Sequence, residues 1–213
     1  MSVPASVTAF ERTYETWHSE KPAATGPRGA VASQNVEAAA VGQAILKDGG
    51  NAMDAAIGTA FALTVAEPWM SGLGGGGYIT LYSAKEKAVR VVDFAMKSAK
   101  GLNPADYPLA EGTGADLFGW PAVVDDRNVN GPYSIAVPGT VAGYALAMEK
   151  YGTKSLADVI APAAALARRG HRATWWTMLM CGADMPALQK SPATAETWLP
   201  GGFPPAMGAD PEP

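Results

Sequence analysis

Apolar and polar positions alternate with two different periods along this chain. In "NVEAAAVGQAILKDGG", Val36, Ala39, Ala40 and Ile45 fall at helical spacing, Asn35 stands where an N-cap belongs, and Gly49-Gly50 ends the run. "NAMDAAIGTAFALTVAEP" follows at once, with Asn51 as its cap and Pro68 as its stop. Nearly every face of this second helix is apolar or small, which predicts burial between layers, with Gly58, Ala60 and Ala62 permitting close approach. The period then changes to two. "YITLYS" sets Tyr78, Thr80 and Tyr82 against Ile79 and Leu81, and "KEK" and "AVRVVDF" supply a polar turn and a return strand, so a hairpin is expected. "RGAVAS" (28–33) and "YSIAVPGT" (133–140) read as short strands, and residues 100–133 as loop. "VAGYALAMEKYG" and "LADVIAPAAALARRG" are helical, ending at Gly152 and Gly170, with Pro162 expected to kink the second. Residues 1–28 are irregular, 28–199 form the main body, and 200–213, with five prolines from Pro200 to Pro213, form a tail.

Between the second helix and the hairpin lies "SGLGGGGY", with five glycines in the six residues 72–77 and a literal G-x-G-x-x-G at Gly72, Gly74 and Gly77. A dinucleotide loop leaves a strand and opens a helix, so that the helix N-terminus meets the phosphates. Here a helix leads in and a strand leads out, and no Gly-Lys-Ser/Thr is present. The glycines therefore predict either a tight backbone passage or positive φ, in a loop able to line a cleft.

Composition narrows the chemistry. With 213 residues, 48% apolar and 17% charged, the chain is long enough and apolar enough for one sizeable core. A net charge of -4 argues against nucleic acid as a partner. One cysteine, Cys181, and two histidines, His18 and His171, leave no ligand set for a structural metal, and no cofactor motif is present. The longest apolar window, 55–66, is too short to span a bilayer, and the N-terminus lacks the pattern of a secretory signal, so a cytoplasmic location without membrane attachment is expected.

Five segments occur in order over residues 28–170: "ILKDGGNAMDAAIGTAFALTVAEP", "SGLGGGGYITLY", "VVDF", "SIAVPGTVAG" and "YGTKSLADVIAPAAALARRG". Together they resemble the large subunit of the gamma-glutamyltranspeptidase family. The resemblance implies an α+β fold, the four-layer αββα sandwich of N-terminal nucleophile (Ntn) hydrolases, completed by a small subunit cut from the same precursor. It also implies a nucleophilic Thr at the start of that partner chain, so that no catalytic residue lies in this one. A small-molecule amide would be the substrate, and a dimer of heterodimers a further assembly.

The family's large subunit binds the γ-glutamyl α-carboxylate with an Arg directly after Asp-Phe. In "DFAMKSAK" that position is Ala95, which cannot form the planar two-bond pair. Lys97, on the same side of an extended backbone, is the candidate surrogate cation, while Phe94 and Met96 are expected to pack inward. Hydrolysis of a non-γ-glutamyl amide is the reading that follows from Ala95. The alternatives are a γ-glutamyl transferase or hydrolase served by Lys97, and a non-catalytic binding relative. In "FGWPAVVDDRNVNGPYS" (118–134), Asp125 and Asp126 are too close in sequence to form an acid–base dyad, and an internal ion pair in a surface loop is expected. His171 is expected to complement the helix end before it, and Trp175 and Trp176 to serve the core or a subunit contact.

Overall fold

The computed structural model describes residues 25–114 and 118–208. The chain divides into a unit up to Ala30 and a unit from Val31 onward. His18 and the aromatics Phe10, Tyr14 and Trp17 lie outside the described residues.

Helix α1 (Val36–Lys47) starts where the Asn35 side chain accepts from the amides of Glu37 and Ala38. Helix α2 (Ala52–Ala66) starts with a capping box. The Asn51 side chain accepts from Met53 and Asp54, and the Asp54 carboxylate accepts from the Asn51 amide. Met53, Ala55, Ile57, Phe61, Ala62 and Ala66 are all buried, because α2 is the centre of the helical layer. At Gly58 an added Cβ would lie 2.1 Å from Ile45 Cδ1, which is why α1 and α2 approach so closely. A one-turn helix, α3 (Pro68–Ser71), then leads into the glycines.

Strands β1 (Tyr78–Ser83) and β2 (Ala88–Asp93) pair antiparallel, with Tyr78 opposite Asp93 and Ser83 opposite Ala88. Ile79, Leu81 and Val92 face the helices and join a core that includes Ile45, Phe61, Met148, Val159 and Leu166. The other face carries Tyr78, Tyr82, Val89 and Val91, each more than half exposed. Two-stranded sheets rarely stand alone in water, so a bare apolar face of this kind marks a surface built to be covered.

Helices α4 (Thr140–Tyr151) and α5 (Leu156–Arg169) complete the layer. Helix α5 runs on through Pro162, which costs the bond its amide would have made and does not end the helix. Short helices α6 (Trp175–Ala183), α7 (Met185–Leu188) and α8 (Pro192–Trp198) follow. None of the helices among the described residues is long and apolar enough to cross a membrane.

Three expectations change. Residues 28–33 have no strand pairing among the described residues, since apolar composition alone supplies no ladder partner. Residues 132–134 form a 3-10 turn, and the following stretch contributes one bridge, Val137 to Lys97, in place of a strand. Conversely, β3 (Leu109–Thr113) and β4 (Pro121–Val123) pair within the stretch read as loop, where glycine and proline hide the alternation.

Candidate functional site

Three backbone segments cross beside the glycine run: 72–77, 94–97 and 137–140. The Phe94 amide donates to the Gly77 carbonyl at 3.0 Å, extending the β1–β2 ladder into the glycines. Lys97 and Val137 exchange both of their backbone bonds, at 3.1 and 2.8 Å. The Gly75 carbonyl accepts from Gly139 at 2.9 Å and Thr140 at 3.2 Å. Helix α4 has no side-chain cap, so this glycine-loop carbonyl satisfies an N-terminal amide that would otherwise be unpaired.

Contact explains the glycines, and φ does not, since none of the five in 72–77 has positive φ. A Cβ on Gly76 would lie 2.6 Å from the Met96 nitrogen and 2.7 Å from the Phe94 oxygen. On Gly139 it would lie 2.0 Å from that same oxygen, and on Gly143 2.2 Å from the Phe94 ring. Gly74 meets nothing within 4 Å. Gly76, Gly139 and Gly143 are thus the positions at which side chains are excluded by neighbours.

Against the run lies a cleft of ≈ 450 Å³, lined by Trp69, Ser71, Gly74, Gly76, Thr140 and Tyr144 among others. The Gly74 and Gly76 amides donate to no backbone acceptor among the described residues and belong to this lining. Free amides, the Ser71 and Thr140 hydroxyls and open backbone together suit an oxygen-rich group such as an amide or carboxylate. Tyr144 packs edge-on against Phe61 and Phe94, at 5.1 and 5.5 Å, and burial pushes its phenol pKa up, so it stays a neutral hydroxyl. The order of elements, helix into the run and strand out of it, is the reverse of a dinucleotide loop.

Ala95 is half-buried within the crossing, its amide donating to Asp93 Oδ1 at 3.0 Å. Lys97 is exposed, held by its backbone pairing with Val137, and its side chain has no ion-pair partner among the described residues. Phe94 packs inward as expected, but Met96 is 54% exposed, because Gly76 closes against the backbone of 94–96 and leaves no pocket for its side chain. In the 118–134 loop, Arg127 pairs with Asp125 at 3.3 Å and lies over the Tyr133 ring, so the loop has the internal ion pair expected of it. His171 does not serve the end of α5. Its Nδ1 contacts Glu37, in the first turn of α1, and Arg169 pairs with the same carboxylate at 2.7 Å. Trp175 stacks edge-on with Trp176 and is 60% exposed, so it is no core residue. Thr140 lies within one of the five segments that carry the resemblance, but Trp69 and Tyr144 lie outside them; only the fold brings the three beside the glycines.

The profile of the gamma-glutamyltranspeptidase family matches residues 38–210. The chain belongs to this family. It is 40% identical over 186 residues to the acylase ACY 1 proenzyme of Pseudomonas sp. (strain V22), covering 87% of this chain and 32% of that protein. It is 39% identical over 145 residues to the glutathione hydrolase proenzyme of Bacillus subtilis (strain 168), covering 68% of this chain and 23% of that protein. Among solved structures, the crystal structure of Helicobacter pylori gamma-glutamyltranspeptidase superposes with a TM-score of 0.76 at 28% identity, over 89% of this chain and 52% of that one. The fold is therefore the α+β Ntn-hydrolase fold. The chain spans about a third or less of the length of these two curated relatives.

Proposed function

We propose that this chain is the large-chain portion of an amidase that works through an acyl-enzyme on the N-terminal Thr of a partner chain, and that its acyl group is not γ-glutamyl. The observation that carries this reading is Ala95. It stands at the crossing beside Gly76, where the family resemblance places the carboxylate-binding Arg, and a methyl group offers no fork to an α-carboxylate. The named relatives support the wider class, since both an acylase and a glutathione hydrolase are among them, and the acylase match extends over more of this chain.

A Thr hydroxyl is a weak nucleophile until a neighbouring base takes its proton, and the α-amine of the same residue is that base. Attack on the amide carbon forms the ester bond to Oγ. The C–N bond then breaks, and the leaving amine takes the proton. Water repeats the sequence on the ester and releases the acid. This chain's part is to position the substrate: the glycine cleft and its free amides hold the amide end, while the crossing fixes Ala95 and Lys97 in the backbone next to the glycine run. The exposed face of Tyr78, Tyr82, Val89 and Val91 offers the partner's sheet a complementary surface.

Intact-mass spectrometry with N-terminal sequencing of the purified full-length precursor tests the reading. Two fragments are expected, the smaller one beginning with Thr, and replacing that Thr by Ala should leave the precursor whole. A mature protein that is uncut, or whose new terminus is neither Thr nor Ser, would rule out this chemistry. A second expectation concerns Lys97. Its exposure predicts that Lys97→Ala changes kcat/KM for a neutral acyl anilide by no more than about twofold. A fall of about tenfold or more confined to anionic acyl substrates would instead favour the γ-glutamyl reading with Lys97 as the cation.

A further inference from the structure

The glycine-lined cleft shares a wall with a second cavity. Pro68 and Trp69 line both, and Met180, Cys181, Leu188 and Trp198 close the second one, which has a volume of ≈ 250 Å³. The two spaces differ in character. The first offers amides and hydroxyls; the second is walled by aliphatic, sulfur and aromatic groups, with the Asp184 carboxylate its one charged group. Burial, and then the charge of Asp184, pushes the Cys181 thiol pKa up, so that side chain stays neutral and acts as apolar lining.

Trp69 stands between the two spaces. It meets Trp198 edge-on at 6.4 Å, and its indole N–H is buried with no acceptor among the described residues. An unpaired buried donor is unfavourable, so the indole gains a hydrogen bond by turning toward either space. We propose that the second cavity is the acyl-chain subsite of the amidase, that it takes a neutral apolar acyl group, and that Trp69 sets the size of group admitted. A polar cleft for the amide end beside an apolar cavity for the chain is the arrangement such a substrate requires. Asp184 adds a selection against the alternative, because a second carboxylate at the far end of the acyl group would meet a like charge. The inference rests on the acyl-transfer reading above and adds the class of acyl group to it.

The test uses the matured enzyme, with hexanoate, acetate and glutarate as probes in calorimetry and the corresponding anilides as substrates. Hexanoate is expected to bind more tightly than acetate or glutarate. Filling the cavity by Leu188→Trp should weaken hexanoate by roughly tenfold or more and leave acetate unchanged. Met180→Phe narrows the same space from another wall, so a folding defect in one variant does not hide the result. Trp69→Ala should shift the anilide preference toward longer acyl chains by a similar factor, with Trp69→Phe in between. Equal binding of hexanoate and glutarate, or hexanoate binding untouched by both filling variants, would overturn the proposal. Hexanoate binding with the expected variant pattern, in a protein that hydrolyses no anilide, would uphold the subsite and overturn the amidase reading instead.

Discussion

Gly139→Ala and Gly76→Ala are each expected to stop the precursor from reaching a soluble, matured state, while Gly74→Ala is expected to behave as the parent. The contrast follows from what a single Cβ would meet. At Gly139 it would lie 2.0 Å from the Phe94 carbonyl oxygen, and at Gly76 2.6 Å from the Met96 nitrogen. These neighbours are backbone atoms in a crossing tied by the bonds of Gly75 to Gly139 and of Lys97 to Val137, so they cannot swing aside. Overpacking of this kind costs about 3 kcal/mol, a large part of the 5–15 kcal/mol that typically separates folded from unfolded chains. At Gly74 the Cβ enters open space, and a small loss of unfolded-chain freedom offsets any cost. Soluble yield, the extent of cleavage and thermal melting of the three variants check this. Equal melting of all three would show that the glycines are not held by contact.

Asp54→Ala is expected to destabilise the protein by about 3 kcal/mol, because several amides lose their acceptor together. The carboxylate is fully buried and joins two distant parts of the chain. It accepts from the Asn51 amide at 2.7 Å, the Thr153 amide at 2.9 Å, the Thr153 hydroxyl at 2.5 Å and the Lys154 amide at 3.2 Å. Burial pushes its pKa up, but the Thr153 hydroxyl and the three backbone donors together outweigh burial, and the net shift is downward. A carboxylate with a lowered pKa in the folded state adds stability above its unfolded value, about 3.9, and that stability is lost as pH falls through the lower folded value. The melting difference between parent and variant should therefore be constant from neutral pH down to about pH 5 and shrink below about pH 4. A difference that grew on acidification would contradict the assignment.

The helical layer was legible because its signals are local. Asn35 and Asn51 cap helices where the sequence places them, and the alternation of "YITLYS" gives a hairpin whose inner face is Ile79 and Leu81. The glycine run could be excluded as a phosphate loop from element order alone. The reason for its glycines could not be read, because it depends on Phe94 and Gly139, which are distant in sequence and adjacent only in the fold. Met96 departs from the alternation for the same cause: period two says which side a residue takes, but not whether a neighbouring backbone has closed that side. His171 finds its partner in Glu37, which no helix-end rule would select. Trp69 reads as one aromatic after a proline until the two cavities it separates are seen.

The role of Ala95 is read by kcat/KM of the matured enzyme for γ-glutamyl-p-nitroanilide relative to hexanoyl-p-nitroanilide, before and after Ala95→Arg. The parent is expected to prefer the hexanoyl substrate, and Ala95→Arg to raise kcat/KM for the γ-glutamyl one by roughly tenfold or more, as for one charge-assisted pair. Efficient γ-glutamyl turnover by the parent, at or above its rate on the hexanoyl anilide, would contradict that role.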